Sequence, residues 1–338
     1  MNEQWPWPAG AATGIGSLPG VDITEAQKIV LGELPDLPHL PELPARGPGA
    51  DLIGRGAGLL VDLPVELYAG RWQVTSRPGR DLRRAHDLLD RDLDQLTEQA
   101  DGYRGVLKIQ AAGPWTLAAS VQRQLGGPLL ADPGAVRDLA SSLTEGLRRH
   151  VAQVRARVPD AAVILQLDEP SLPAVLAARV PTESGLATLR AVAANTAAER
   201  LRDLIGAVDA PVVVHCCAPD VPLALLRSAG AAAVAVDLDL LKDLDALGAV
   251  LDDGMGLFAG VLAPAGDTPV EPKALAERVL TVWRDLSFAP DRLARQVVLT
   301  PSCGLVGVSA PRARAVLAAC RQGAVERATG LAVSQAGR

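Results

Sequence analysis

The chain has 338 residues, enough for two ordinary domains or for one domain of barrel size. Its formal net charge of −6 argues against binding to nucleic-acid phosphates, which requires a basic surface. Hydrophobic residues make up 49% of the chain but aromatic residues only 3%, so alanine, leucine and valine must fill a large core.

Targeting signals for export or membrane insertion are absent from the sequence. Four cysteines without regular spacing do not make a disulfide framework, which fits a reducing compartment. The first residues lack the basic and apolar regions of a signal peptide. No uncharged apolar stretch reaches the roughly 18 residues of a membrane-spanning helix. We therefore expect a soluble, cytoplasmic protein that contacts neither nucleic acid nor membrane.

Apolar runs that end in turn residues alternate along the chain with helical patterns. Strands are predicted at 11–20, 58–64, 106–110, 161–170, 212–217, 232–236, 255–262 and 297–300. The clearest helices are predicted at 79–101, 134–158, 183–206, 241–252, 271–287 and 311–321. Between the first two strands, a helix capped by Asp22 or Thr24 is followed by a long irregular segment, rich in proline and glycine, near 35–57.

This alternation of strands and helices predicts one parallel sheet. Eight strands in a chain of this length indicate a single α/β domain over residues 1–338, a (β/α)8 TIM barrel, with a weakly ordered tail near 330–338. A doubly wound open sheet is the alternative, but no Gly-x-Gly-x-x-Gly follows a strand and no phosphate-binding loop motif occurs. In a barrel, the residues that follow the strands meet at one face, where active sites are found.

Three of the predicted strands are followed directly by residues able to bind a metal ion. One strand ends in His215 and Cys217, the next in Asp237, and the last in Cys303. Imidazole nitrogen and thiolate sulfur suit Zn²⁺, and a catalytic zinc site keeps one position open. We expect a zinc site formed by His215, Cys217 and Cys303, with Asp237 as the candidate fourth ligand.

The alternative is that these residues only fill the core, as free cysteines often do. The combination of His-x-Cys with a distant Cys-Gly, both at strand ends, favours a metal site. Two further cysteines are predicted to be core residues. Cys216 points to the opposite face of its strand from its neighbours, and Cys320 lies on the apolar stripe of a helix.

Other strand ends offer groups for a small polar ligand. Asp168 and Glu169 follow the fourth predicted strand, where two carboxylates are costly to bury without a role. They can hold an ammonium group or transfer protons, or they can cap the helix that follows them. Gly14 and Gly16 let the backbone pass close to a ligand, or simply form a turn. Trp115 offers a stacking surface for a planar ligand, with packing at the rim as the alternative.

Five stretches of the chain resemble motifs of one enzyme family. They are residues 15–19 (IGSLP), 113–117 (GPWTL), 166–172 (QLDEPSL), 215–217 (HCC) and 301–305 (PSCGL). Through them, most of the chain resembles the carboxy-terminal catalytic barrel of the cobalamin-independent methionine synthases, within the superfamily of uroporphyrinogen decarboxylase and corrinoid methyltransferases. The Asp-Glu-Pro, Cys-Gly-Leu and His-x-Cys stretches are specific in combination.

The resemblance implies a set of metal ligands. The family binds zinc through one histidine, two cysteines and one glutamate, and His215, Cys217 and Cys303 match the first three. The family glutamate falls at Asp237, which is one methylene shorter. Asp239, two residues further on the same strand face, is a substitute candidate.

The resemblance also implies ligands for homocysteine. Asp168 matches the family carboxylate that holds the amino group of this substrate, and it is the candidate catalytic residue. The backbone of Ile15, Gly16 and Ser17 matches the segment that holds the carboxylate end. Glu66 matches, in a looser alignment, a second acid that binds the amino group.

The activity that the resemblance implies is zinc-dependent methyl transfer to the thiol of homocysteine, which gives methionine. The long enzymes of the family have an additional amino-terminal half that helps to bind the folate donor, whereas this chain resembles a short core form. The donor is therefore a methylated folate or a methyl-corrinoid, the latter carried on a corrinoid protein, and Trp115 is the candidate to stack on it. The family also has a proton-accepting histidine after the seventh strand, which residues 260–264 lack.

Two other functions stay open at this level. One is a related zinc-dependent thiol or corrinoid methyltransferase with another thiol acceptor, which the thiol consumed would distinguish. The other is a metal-free barrel that binds a small ligand without catalysis. Purified protein without metal, with freely reactive thiols, would favour the latter.

Overall fold

A curled parallel sheet forms the centre of the molecule. The structure is a computed structural model that describes residues 5–266 and 271–336, with side chains described through residue 326. An antiparallel hairpin of β1 (Val65–Tyr68) and β2 (Arg71–Val74) precedes the sheet. The six parallel strands then follow in chain order: β3 (Val106–Ala112), β4 (Ala162–Asp168), β5 (Val212–Cys216), β6 (Ala233–Asp237), β7 (Gly256–Leu262) and β8 (Val297–Pro301).

Helices connect the strands and pack against the sheet. In the described part of the chain they are α1 (Ile23–Glu33), α2 (Leu52–Gly58), α3 (Arg80–Gln99), α4 (Pro114–Ser120), α5 (Pro133–Arg157), α6 (Leu172–Leu176), α7 (Ala194–Ala207), α8 (Leu223–Ser228), α9 (Leu244–Asp252), α10 (Pro272–Asp285), α11 (Pro290–Gln296) and α12 (Ala310–Ala336). Asp22 caps α1, because its side chain accepts hydrogen bonds from the backbone N–H groups of Thr24 and Glu25. Within the described ranges, every helix is too short or too polar to span a membrane.

The first predicted strand is only partly realised. Residues 11–20 do not form a regular strand, but the backbone N–H of Thr13 donates to the O of Leu299 on β8 at 3.0 Å. The N–H of Leu18 donates in turn to the O of Glu42 at 2.8 Å. This segment therefore runs beside β8 and continues toward a second irregular segment.

The second predicted strand, at 58–64, is wrong. Its first residue ends α2, and the residues after it are irregular. Residues 38–40 lie beside β3 instead, where the N–H of Leu40 donates to the O of Lys108 at 2.9 Å. Because this segment is rich in proline, which has no N–H to donate, it cannot form a continuous ladder.

Three other boundaries differ from the predictions. The irregular segment predicted near 35–57 contains most of α2, whose first N–H groups are capped by the side chain of Asp51. The helix predicted at 183–206 begins later and is α7. The tail near 330–338 lies partly in α12 and partly outside the described residues.

One face of the sheet is apolar near the amino ends of the strands and polar near their carboxyl ends. Trp7 packs edge-on against Phe258 of β7, with the ring centroids 5.0 Å apart, in an apolar cluster that includes Val213 of β5. Because side chains alternate along a strand, His215 follows Val213 on this same face. His215 therefore lies on the face of the sheet that this apolar cluster covers, two residues nearer the carboxyl end of β5 than Val213.

Candidate metal and substrate site

A cavity of about 200 Å³ opens at the carboxyl ends of the parallel strands. This is smaller than the roughly 300–1,000 Å³ of pockets for drug-sized ligands, so it fits a molecule the size of an amino acid. The predicted site residues that line it are Ile15, Gly16, Ser17, Asp168, His215, Cys217 and Cys303. The structure thus brings together residues from both ends of the chain.

The sulfur atoms of Cys217 and Cys303 lie 3.7 Å apart in this cavity. Cys217 follows β5 and Cys303 follows β8, so the curl of the sheet brings two non-adjacent strands to one point. Their hydrogen bond lowers the pKa of Cys303 and raises that of Cys217, because the two sulfurs share a proton. Cys216 and Cys320 are fully buried, which confirms their prediction as core residues.

His215 is oriented by a carboxylate. Its Nδ1 lies 2.8 Å from Oδ1 of Asp168, and both side chains are buried. The same Oδ1 accepts a hydrogen bond from Nε2 of Gln166 at 2.7 Å. The other ring nitrogen, Nε2 of His215, is buried and has no hydrogen-bond partner among the described residues. With Nδ1–H donated to Asp168, Nε2 keeps its lone pair, as in metal-binding histidines.

The chemistry of these three side chains fits a zinc ion. Two sulfurs bound to a tetrahedral zinc at about 2.3 Å lie roughly 3.8 Å apart, and the Sγ–Sγ distance here is 3.7 Å. Nε2 of His215, which has no hydrogen-bond partner among the described residues, is available as a nitrogen ligand. In the described ranges, no three His, Cys, Asp or Glu side chains are close enough together to hold a metal ion as they stand. The sulfur pair therefore has the spacing of two zinc ligands, whereas no third candidate in the described ranges is close enough to complete a site.

Asp237 does not line the cavity. Its Oδ1 accepts a hydrogen bond from the backbone N–H of Asp239 at 2.9 Å, and Asp239 forms an ion pair with α10. Cys216 of β5 pairs with Val236 of β6, so Asp237 is level with Cys217 and on the same face of the sheet. Asp237 is therefore the last residue of the strand next to Cys217, and its carboxylate is bonded to the backbone of Asp239.

Glu42 is a cavity residue that sequence reasoning missed. It is buried, and burial raises its pKa to about 7 although Arg55 opposes this shift. Oε1 of Glu42 lies 3.3 Å from Nε of Arg55, whose Nη1 donates to the buried Asp92 at 2.6 Å. In the sequence, Glu42 is marked only by its position in a proline-rich segment. That position points to the cavity only when the segment is known to lie beside β3.

Two predicted substrate residues lie away from the cavity. Glu66 is on β1, paired with Gln73 of the hairpin. Trp115 is 1% exposed in the core, and its Nε1 donates to the O of Ala197 at 3.3 Å. A side chain buried to this extent has no free ring face on which a planar ligand can stack.

Glu169 caps the earlier helix α4, and not the following helix that the sequence suggested for this acidic pair. Its carboxylate accepts hydrogen bonds from the backbone N–H groups of Trp115 at 2.9 Å and Thr116 at 2.8 Å, at the start of α4. Burial raises the pKa of Glu169 to about 7, and the hydrogen bonds oppose this shift. Of the two adjacent acids, therefore, Glu169 stabilises a helix and Asp168 faces the cavity.

Comparison with known proteins agrees with these features. Residues 10–326 match the model of a protein family described as the catalytic domain of cobalamin-independent synthase. A B12-independent methionine synthase from Shewanella sp. W3-18-1, solved in complex with selenomethionine, is 12% identical with a TM-score of 0.65, over 96% of this chain and 99% of that chain. A methyltransferase from Methanosarcina mazei is 15% identical with a TM-score of 0.49, over 95% of this chain and 94% of that chain. No curated protein sequence matches.

The two kinds of comparison differ in what they show. At 12% identity, the similarity to the Shewanella enzyme shows a shared α/β fold. The family match shows more than the fold, because the matched residues 10–326 include every strand of the parallel sheet and every residue that lines the cavity. The chain therefore belongs to the family of cobalamin-independent synthase catalytic domains, which are methyltransferase enzymes.

Proposed function

We propose that the protein transfers a methyl group to the thiol of homocysteine and so forms methionine. This proposal rests on one observation: a pair of thiols and a pair of carboxylates line the same cavity. Cys217 and Cys303, with sulfurs 3.7 Å apart, lie in the same cavity as the carboxylates of Asp168 and Glu42. Homocysteine has a thiol at one end and an ammonium group at the other, so it complements both.

The two carboxylates are proposed to hold the ammonium group of homocysteine. Asp168 is oriented before binding by its contacts with Gln166 and His215. Glu42 takes the role that the resemblance suggested for Glu66, because Glu42 lines the cavity. An ammonium group between two carboxylates makes charge-assisted hydrogen bonds, which are stronger than neutral ones.

The backbone of Ile15, Gly16 and Ser17 is proposed to hold the carboxylate end. This segment lines the cavity, and it passes close to β3. A Cβ atom on Gly16 would lie 2.9 Å from Cγ of Gln110, so only glycine fits without displacing that side chain. The close approach supports a role for this backbone as a rigid binding edge.

Zinc is the proposed cofactor, held by His215, Cys217 and Cys303, with Asp237 as the proposed fourth ligand. When bound, zinc would keep the thiol of homocysteine deprotonated near neutral pH. The residues of the chain contribute orientation: Asp168 fixes the ring of His215, and the carboxylates aim the substrate's sulfur at the donor. The sulfur then bonds to the methyl carbon as the bond from that carbon to the donor breaks, and the electron pair of that bond stays with the donor.

A methylated folate is the proposed donor. The family's description as cobalamin-independent supports it, as does the likeness to a B12-independent methionine synthase. A corrinoid protein as partner finds no support in these comparisons. The methyl-corrinoid that the sequence left open is therefore the second donor to be assayed.

The fold is proposed to be a closed (β/α)8 barrel in a single domain. Residues 11–13 lie beside β8 and residues 38–40 beside β3, where regular strands would close the ring. The two segments also bond to each other, since the N–H of Glu42 donates to the O of Gly16 at 3.1 Å. These contacts support two irregular segments in the first two strand positions of the barrel.

Elemental analysis of protein purified without chelator, followed by assays with homocysteine and each donor, tests the proposal. We expect about one zinc per chain and formation of methionine from the methylated folate. Formation of methionine from the methyl-corrinoid but not from the methylated folate would overturn the proposal that the folate is the donor. Protein that neither contains zinc nor takes it up would overturn the ligand set and favour a metal-free binding protein.

A further inference from the structure

Lys108 on β3 is fully buried beneath the cavity. Its Nζ donates to three oxygen atoms: the O of Ile15 at 2.9 Å, Oε1 of Gln166 at 2.8 Å and Oε1 of Gln110 at 3.4 Å. An ammonium group has three donors, which matches these three acceptors. A neutral amine would turn its lone pair toward one of the oxygens. The contacts therefore favour the charged form, which the proposed reaction does not use directly.

Lys108 determines the orientation of Gln166. Because Oε1 of Gln166 accepts from Lys108, the amide NH₂ must face the other way. Nε2 accordingly donates to the O of Ile15 at 2.9 Å and to Oδ1 of Asp168 at 2.7 Å. Loss of the ammonium would free this amide to flip, and Asp168 would then lose a donor that holds its carboxylate in place.

Lys108 also sets the direction of a peptide group. The carbonyl of Ile15 receives hydrogen bonds from both Lys108 and Gln166, so it points into the polar layer beneath the cavity. In a trans peptide the next N–H points in the opposite direction. The N–H of Gly16 is therefore directed toward the cavity that this residue lines, where it can meet the carboxylate of an amino acid.

Burying an ammonium group is costly unless neighbouring charges offset its lost hydration. Burial lowers the pKa of Lys108 to about 7, and Asp168 and Glu42 oppose this shift. The ring of His39 is buried nearby, and its pKa is lowered by burial and then by the charge of Lys108. An apolar side chain would avoid this cost, so a buried lysine here is better explained by the site than by the fold.

We infer that Lys108 is a positioning residue that makes the cavity specific for a thiol that is also an α-amino acid. It acts through the peptide between Ile15 and Gly16 and, by way of Gln166, on Asp168. It does not touch the substrate. The inference rests on the proposed homocysteine site.

Calorimetric titration of the zinc-supplemented protein with homocysteine and with 1-propanethiol tests it. Propanethiol has the thiol but neither the amino nor the carboxylate group. In Lys108→Met, homocysteine binding should weaken roughly 10- to 100-fold, as for loss of hydrogen bonds to charged groups, while propanethiol binding changes less than about twofold. Lys28→Met, at an exposed position on α1, is the control and should bind both thiols as the wild type does.

The outcomes separate the positioning role from the proposed function. Unchanged homocysteine binding in Lys108→Met, or equal weakening for both thiols, would overturn the positioning role, because equal weakening indicates a general structural defect. Wild-type protein that binds homocysteine no better than propanethiol would overturn the proposed function itself, and the inference with it.

A second variant keeps the test decisive if Lys108→Met does not fold. Gln166→Leu cuts the connection from Lys108 to Asp168 and leaves the bond from Lys108 to Ile15 in place. The preference of this variant for homocysteine over propanethiol should fall at least about fivefold. A preserved preference would overturn the role assigned to the connection through Gln166.

Discussion

Nδ1 of His215 and Oδ1 of Asp168 lie 2.8 Å apart, and this contact joins the two sides of the cavity. His215 belongs with the sulfur pair as a proposed metal ligand, whereas Asp168 and Glu42 are the acids proposed to bind the ammonium group. Both hydrogen bonds to Asp168, from His215 and from Gln166, end on Oδ1, so a substrate ammonium can be met by Oδ2. One carboxylate can thus orient a metal ligand and bind the substrate.

Asp168→Asn should therefore weaken two affinities. Homocysteine binding should fall roughly 10- to 100-fold, because a hydrogen bond between charged groups contributes about 1.5–3 kcal/mol. Zinc affinity should fall about 10-fold or more, because His215 loses its carboxylate partner. Calorimetry and competition with a chelator measure these changes, and Asp94→Asn on the exposed face of α3 is the control. If Asp168→Asn binds both homocysteine and zinc within twofold of the wild-type affinities, Asp168 has neither role.

The sulfur pair makes the sharpest metal prediction. Cys217→Ser and Cys303→Ser should each abolish zinc binding and methyl transfer while the fold is kept, because a neutral hydroxyl is a poor substitute for a thiolate ligand. Elemental analysis reports the metal and circular dichroism the fold. Cys216→Ala, one residue away on the opposite face of β5, should keep its zinc. Stoichiometric zinc in both serine variants would contradict the ligand assignment.

The fourth ligand can be assigned by comparing two neighbouring acids. Asp237 is level with Cys217 on the same face of the sheet, whereas Asp239 is paired with Arg278. We expect Asp237→Ala to weaken zinc binding at least about tenfold and Asp239→Ala to leave it nearly unchanged. Competition with a chelator gives both values. Wild-type affinity in both variants would mean that three residues hold the metal and the fourth position is open.

Glu42 should make the stability of the protein depend on pH. Burial raises its pKa from 4.5 to about 7, so between these values the folded state binds more protons than the unfolded state. The free energy of unfolding must then fall as the pH rises through this window, by about 3 kcal/mol for this group.

Denaturant titrations at pH 4.5 and pH 8 measure the effect as a difference between variants. Glu42→Gln cannot ionise at this position, so its free energy of unfolding should not show the decrease that Glu42 causes. The difference in stability between this variant and the wild type should therefore rise with pH. Glu25→Gln, at an exposed position on α1, should keep the wild-type dependence. Parallel curves for wild type and Glu42→Gln would contradict the buried, ionisable role of Glu42.

Much of the sheet could be read from the sequence, and the physical reason is burial on both faces. The strands β3 to β8 appear as continuous apolar runs, because parallel strands are covered on both sides. The same apolar runs predicted the positions of His215, Cys217 and Cys303, because polar residues that end or follow such a run lie at the end of a strand. The cap at Asp22 was also readable, because the capping side chain contacts residues only two and three positions further on.

The sequence by itself determined the local features: the six parallel strands, the longer helices between them, and the sulfur and imidazole groups at the strand ends. The tertiary structure decided which acids join them. Glu42 lines the cavity and Glu66 does not, because a proline-rich segment without a regular pattern lies beside β3. The buried Nζ of Lys108 likewise finds an acceptor in the O of Ile15, a residue far away in the chain. Periodicity reports burial within one element, whereas these contacts depend on how distant segments meet.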